Sequence, residues 1–154
     1  MIRGLVTIGT TTFDSLIKAL DKPSDCVSLK FQIAAGAYEP IYHAYERFIP
    51  DIKTSYSSYD FIITHAGAGS VYSLLEMGNK FAVVANTDRS DNHQLELCKF
   101  VHSNNYATTY TVKGLQDISL LQISQEITST NCVKYKKEDF FKGREIVDFI
   151  QGKG

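Results

Sequence analysis

The sequence predicts an α/β domain: Rossmann-like, with a mostly parallel sheet and helices on both faces. Three observations carry this. Short apolar runs rich in β-branched residues alternate with segments whose apolar positions recur every three or four residues. Gly9, Gly36, Pro50 and Gly78 fall at the junctions between them. No repeat, low-complexity tract or linker divides the 154 residues, so 1–154 is expected to be one domain, large enough to bury its own core.

The elements follow in order. Residues 5–8 (Leu-Val-Thr-Ile) form a buried-type strand stopped by Gly9. A helix over about 12–21 sets Phe13, Leu16, Ile17 and Leu20 on one face. Residues 29–33 make a second strand ended near Gly36, and 47–49 a short third, with Pro50 opening a helix through about 58. The strand 61–64 runs into the turn 65–70, and a helix to Met77 buries Val71, Leu74 and Leu75 before Gly78 closes it. A strand over 81–85, a helix over 91–102 and a last strand over 106–111 come next, with helices over about 115–128 and 139–150.

Composition narrows the function. Lys plus Arg number 16 against 17 Asp plus Glu, a balance that argues against nucleic acid as the main partner. The longest apolar run, 81–85, is far too short to cross a bilayer, and the first residues lack the pattern of a signal peptide. Cys26, Cys98 and Cys132 are odd in number and widely spaced, without CxxC pairs, which points to a reducing, cytoplasmic setting.

In a doubly wound fold the ligand sits beyond the carboxyl ends of the strands, and three loops there are chemically unusual. Gly9-Thr10-Thr11-Thr12 offers backbone N–H groups and hydroxyls at a helix start, an anion-suited arrangement; its plainer reading is a Thr N-cap. The dinucleotide fingerprint GxGxxG is absent here, which counts against a dehydrogenase. His65-Ala66-Gly67-Ala68-Gly69-Ser70 is the most informative stretch. Gly67 and Gly69 let a ligand approach the backbone, Ser70 adds a hydroxyl and His65 a titratable ring. A diphosphate placed there meets several N–H donors and needs no metal. In the third loop Asp91 and Gln94 fit a capping box, yet Asn92, His93 and Gln94 together also suit sugar hydroxyls. His65 and His93 lack metal-ligand spacing, and no Gly-x-Ser-x-Gly elbow supports a hydrolase. The basic residues Lys134, Lys136, Lys137, Lys142 and Arg144 read as a solvated face or one set against an anionic membrane. The apolar residues of 139–150 exceed what an edge helix needs: part is expected to pack across the sheet's own core, and the remainder to offer a partner surface.

Three pieces in this order, Val6-Thr7-Ile8-Gly9-Thr10-Thr11 with Phe13-Asp14, then Ile63 through Ser70, then Asn92-His93-Gln94-Leu95-Glu96-Leu97, resemble the glycosyltransferase family 28 C-terminal domain. This is the nucleotide-sugar-binding half of the B-type glycosyltransferase fold, with members among dolichyl-diphosphate N-acetylglucosamine transferases and bacterial exopolysaccharide enzymes. The resemblance implies inverting transfer from a UDP-sugar, UDP-N-acetylglucosamine above others, to a lipid-diphosphate-linked acceptor, with no cofactor and no metal. It implies that Gly9, Thr10 and Thr11 face the phosphate side, that Gly67, Gly69 and Ser70 hold the diphosphate beside His65, and that Asn92, His93 and Gln94 read the sugar. It further implies a separate membrane-anchored subunit for the acceptor, at the cytosolic face of the endoplasmic reticulum or bacterial inner membrane. Relatives commonly carry a ribose-binding carboxylate three residues after the motif serine. This chain has Ser73 there, with Glu76 the nearest carboxylate, and Lys80 stands where a proline is often found. The catalytic base is not identified. A non-catalytic nucleotide- or partner-binding module is the alternative, and Ser73 is the feature in its favour.

Overall fold

Six strands, all paired in parallel, form one sheet in the order β3-β2-β1-β4-β5-β6 in a computed structural model that describes residues 1–89 and 92–134. The strands are β1 (Ile2–Thr7), β2 (Val27–Gln32), β3 (Ala44–Glu46), β4 (Phe61–His65), β5 (Phe81–Val84) and β6 (Thr108–Tyr110). The helices are α1 (Asp14–Leu20), α2 (Ile52–Ser55), α3 (Ala68–Met77), α4 (Asn92–Ser103), α5 (Val112–Gln116) and α6 (Leu120–Ser129). The helix expected over 139–150, its apolar face, and the basic residues beyond Lys134 lie outside the described residues.

Alternation along the central strands divides the core in two. On β1, Val6 joins Phe13, Leu16, Ile17 and Leu20 of the α1 side together with Ile123 and Ile127 of α6. Its neighbour Leu5 joins Val71, Leu74, Leu97 and Val101 from α3 and α4 on the other face. Buried on both sides, the strands need no polar alternation, which is why they read as continuous apolar runs. On β4 residues 61–64 are accordingly all buried, whereas β2, nearer the edge, alternates, with Ser28 exposed and Lys30 half-buried.

Three expectations are corrected. The third strand is Ala44–Glu46, not 47–49: it pairs with Lys30, Phe31 and Gln32, and Phe48 beyond it is 59% exposed. Arg47 instead turns its guanidinium back to the carbonyls of Ala34 and Gly36. The helix after Pro50 is a four-residue turn and a short 3-10 segment, Tyr56–Ser58, anchored by the buried Tyr56 ring. The helix expected over 115–128 is two, because Ser119 accepts from the N–H of Gln122 and starts α6 anew.

One residue at the carboxyl edge binds three segments. Gln32, 3% exposed, accepts through Oε1 from the Thr7 hydroxyl (2.9 Å) and from the N–H groups of Ile8 (2.9 Å) and Gly9 (3.1 Å). Its Nε2 donates to the carbonyls of Gly9 (2.8 Å) and Arg47 (3.0 Å). Removing these bonds strands several buried backbone groups. We predict that Gln32→Leu loses at least about 2 kcal/mol in urea denaturation. A loss below about 0.5 kcal/mol would contradict this role.

Candidate functional site

Strand order reverses at the neighbouring pair β1 and β4. The loops leaving the two strands there run to opposite sides, and a doubly wound sheet opens its ligand crevice at that point. The first and second sequence-selected loops are the ones that flank it.

His65, the last residue of β4, fills the floor between them. A Cβ added at Gly9 would stand 2.7 Å from its Nε2, and one at Gly67 would stand 2.3 Å from its Cε1. The two glycines therefore make room for an imidazole of the chain itself. Gly9 also holds φ at +68°, a conformation that side-chain-bearing residues rarely adopt. The ring's Nδ1 is buried with no hydrogen-bond partner among the described residues, and burial pushes its pKa down to about 4. At neutral pH His65 is uncharged.

Gly69 is different. Nothing lies within 4 Å of the position its Cβ would take, and its φ is not in the left-handed region. No contact within the described residues requires a glycine there. Gly69 lies in the first turn of α3, whose first helical bond runs from Val71 N–H to the Gly67 carbonyl. The N–H groups of Ala68, Gly69 and Ser70 precede that bond, and no side chain among the described residues caps them. The crevice thus presents three donors and the positive end of a helix beside open space. Ser70 also faces the buried phenol of Tyr56, whose pKa burial raises and the serine hydroxyl lowers.

The first loop departs from its expected role. The N–H of Gly9 is consumed by Gln32, so it is not a free anion donor. Helix α1 begins at Asp14 rather than Thr12, with Phe13 at the cap position and no cap from its own side chain. Asp88 supplies one from across the crevice, accepting from the Ser15 N–H (3.0 Å) and hydroxyl (2.5 Å). A carboxylate already meets that helix start. Exposed Thr10 and half-buried Thr11 remain on the loop's outer side.

The third loop divides likewise. Asn92 and His93 are exposed at the start of α4. The Oε1 of Gln94 accepts from the N–H groups of Asn86 (2.9 Å) and Ala66 (3.2 Å), tying the ends of β4 and β5 together. Its oxygen is structural, and its amide N–H groups have no partner among the described residues. The capping partner Asp91 lies outside the described residues. Ser73 is half-buried one turn beyond Ser70. Glu76 is not brought to the crevice: exposed in the last turn of α3, it borders a cavity of about 250 Å³ at the opposite, amino edge, with Lys80, Phe81 and Lys134.

Asn86 and Asp88 are site-building residues that sequence reasoning missed. Asn86 is 2% exposed, donates to the Thr12 carbonyl (2.9 Å) and accepts from the Asp88 N–H (3.1 Å). The signal was present, since Asn-x-Asp straight after a buried strand is an Asx-turn pattern. Among the described residues no group of three or more His, Cys, Asp or Glu side chains is placed to hold a metal ion. No described helix is long and apolar enough to cross a membrane.

The all-parallel sheet with its crevice at β1 and β4 defines the class, a Rossmann-like domain of the kind that forms the C-terminal half of B-type glycosyltransferases. The chain belongs to the glycosyltransferase family 28 C-terminal domain family, whose model matches residues 4–151. It is 34% identical over 125 residues to the UDP-N-acetylglucosamine transferase subunit ALG13 of Homo sapiens, a match spanning 71% of this chain and 11% of that protein. The Mus musculus protein of the same name is 33% identical over 142 residues, spanning 80% of this chain and 12% of that protein. The chain therefore spans only a small part of these relatives. In structure it matches MurG of Acinetobacter baumannii with a TM-score of 0.60 at 19% identity, covering 98% of this chain and 52% of that one. An NMR structure of ALG13 matches with a TM-score of 0.59 at 16% identity, covering 97% of each chain. These two likenesses concern the fold.

Two outcomes follow from the glycine and histidine geometry. Gly67→Ala drives a methyl into the His65 ring and should cost about 1–3 kcal/mol. Gly69→Ala should leave stability unchanged or raise it by up to about 1 kcal/mol. Thermal unfolding of both variants checks the contrast, and equal losses would refute it. His65, with a folded pKa near 4 against 6.5 unfolded, stays neutral in the fold while the unfolded chain takes up a proton. Its contribution is present above pH 6.5 and is lost as pH falls toward 4. Between pH 7.5 and 5.0 the chain should lose about 2 kcal/mol more than His65→Gln does in urea denaturation. Parallel losses would show that burial of the ring contributes nothing.

Proposed function

We propose that this chain is the donor-binding, catalytic subunit of a two-chain inverting glycosyltransferase, moving N-acetylglucosamine from its UDP-linked form to a lipid-diphosphate-linked acceptor. The observation that carries the reading is the uncapped start of α3 beside Gly69, at the point where strand order reverses. Three N–H groups and the helix dipole are suited to a diphosphate, and they act without a metal ion. A side chain at Gly69 would occupy the space such a ligand needs.

Within this reading Ser70 adds a hydroxyl to the diphosphate contacts, and Thr10 and Thr11 border its phosphate side from the first loop. Asn92, His93 and the N–H groups of Gln94 face the sugar hydroxyls from the start of α4. Ser73 lies one turn below Ser70, where a ribose would extend; Glu76, at the far end of the helix, takes no part. The bond from the anomeric carbon to the β-phosphate oxygen breaks as an acceptor oxygen attacks the opposite face of the sugar. The charge that develops on the leaving UDP falls on donors already in place.

The acceptor, and the base that takes its proton, come from a separate membrane-anchored subunit, so the complex works at the cytosolic face of a membrane. One thing supports a partner: the human and mouse relatives carry the word subunit in their names.

Titration of UDP-N-acetylglucosamine into isotope-labelled protein tests the reading. Saturable amide shifts are expected at Gly67–Ser70 and Asn92–Gln94, and Gly69→Val should weaken binding at least tenfold (about 1.4 kcal/mol) while remaining folded. Unchanged affinity in Gly69→Val would remove α3 from the site. Absence of transfer after the acceptor subunit is added would favour a non-catalytic module.

A further inference from the structure

We propose that Asp88 is a positioning residue for the sugar end of the donor: by tying the loop between β5 and α4 to the start of α1, it sets Asn92, His93 and Gln94 against the sugar. The assignment rests on the donor-site reading above and adds what holds the sugar-reading residues in place. Asp88 acts through those residues and not on the ligand.

The loop runs from Asn86, buried just after β5, to Gln94 in the first turn of α4, and its two ends close on each other. The Gln94 Oε1 accepts from the Asn86 N–H (2.9 Å), and the Asn86 Oδ1 accepts from the Asp88 N–H (3.1 Å). Neither bond needs α1. Asp88 lies beyond this base in an exposed run with Thr87 and Arg89. Burial cannot fix such a run, so hydrogen bonds must. The Asp88 carboxylate makes them with both oxygens: Oδ2 accepts from the Ser15 N–H (3.0 Å) and Oδ1 from the Ser15 hydroxyl (2.5 Å). A two-point contact fixes orientation as well as distance. Asn92, which opens α4, follows four residues later, a span of at most about 14 Å. The anchor at Asp88 therefore limits where Asn92 and His93 can stand.

The tie lies on the side of the crevice away from the α3 donors. Helix α1 packs with Val6 in one half of the core, and α3 packs with Leu5 in the other. Asn86 reinforces the α1 side by donating through Nδ2 to the Thr12 carbonyl (2.9 Å). The hydrogen bonds of Asp88 go to α1 and to Asn86, not to α3. Separate contacts thus hold the nucleotide end and the sugar end, and one can be lost without the other. Geometry matters here more than charge. An asparagine at 88 reproduces both contacts, its oxygen accepting from the Ser15 N–H and its NH₂ donating to the Ser15 hydroxyl, which accepts as well as it donates.

Titrations of the full chain with UDP and with UDP-N-acetylglucosamine, followed by calorimetry and amide shifts, test the assignment. In Asp88→Ala the UDP affinity should stay within about twofold, and the UDP-N-acetylglucosamine affinity should fall at least about fivefold. The sugar-dependent shifts at Asn92–Gln94 should fade while those at Gly67–Ser70 persist. Asp88→Asn should return the sugar nucleotide to within about twofold of the unaltered chain. Ser15→Ala, which removes one of the two bonds, should fall between, and adding it to Asp88→Ala should cost nothing further. Equal losses of both ligands in Asp88→Ala would overturn the assignment, since a general support of the crevice behaves that way. Unchanged affinity for both would overturn it too, as would sugar-nucleotide shifts in the unaltered chain that spare Asn92–Gln94. Silence of Gly67–Ser70 toward both ligands would instead remove the donor-site reading, and this assignment with it. If Asp88→Ala does not fold, Ser15→Ala reads the same difference between the two ligands.

Discussion

A parallel sheet leaves backbone donors and acceptors at its carboxyl edge that no neighbouring strand can meet, and the site here depends on how they are satisfied. Gln32, Asn86 and Gln94 do so with side-chain amides, each joining segments distant in sequence. Gln32 reaches Gly9 across 23 residues, and Gln94 reaches Ala66 across 28. An amide suits this task because it donates and accepts without charge and so costs less to bury than a carboxylate or ammonium. With the loops fixed in this way, the crevice between β1 and β4 is shaped before any ligand arrives.

The glycines divide the work inside that crevice. Gly9 and Gly67 yield their side-chain space to the His65 ring, and Gly69 yields its space to nothing within the described protein. The two helix starts differ in the same way. Asp88 satisfies α1 from across the crevice, and α3 stays uncapped. Among the described residues, one of two chemically similar helix ends is closed by a side chain and the other is left open. This asymmetry locates the anion-suited position more narrowly than any count of glycines.

Much of this was legible in the residues. Buried-type runs such as Phe61-Ile62-Ile63-Thr64 and the Gly78 stop describe their elements well, because local propensity and tertiary burial agree there. The third strand was misplaced because Phe48-Ile49 is apolar yet sits past the sheet edge, while the paired residues Ala44, Tyr45 and Glu46 carry no strand pattern. The α5–α6 break was hidden because Asp117, Ile118 and Ser119 interrupt no apolar period, although Ser119 is a sound cap. At the site, sequence motifs pointed to loops that the fold brings to the β1–β4 crevice but could not say which donors are already used. The N–H of Gly9 and the oxygen of Gln94 are taken by partners that only the fold brings near. Glu76 looked close to Ser70 in sequence, yet it faces the other edge because a helix carries it there.

The central claim is that the open start of α3 holds a diphosphate, and calorimetric titration of UDP against uridine tests it most directly. Uridine shares the base and ribose but lacks the charge that the proposed site assigns to the α3 donors. The account predicts that UDP binds at least tenfold more tightly than uridine, about 1.4 kcal/mol or more, without added metal ion. Equal affinities, or UDP binding that appears only with a divalent cation, would contradict it.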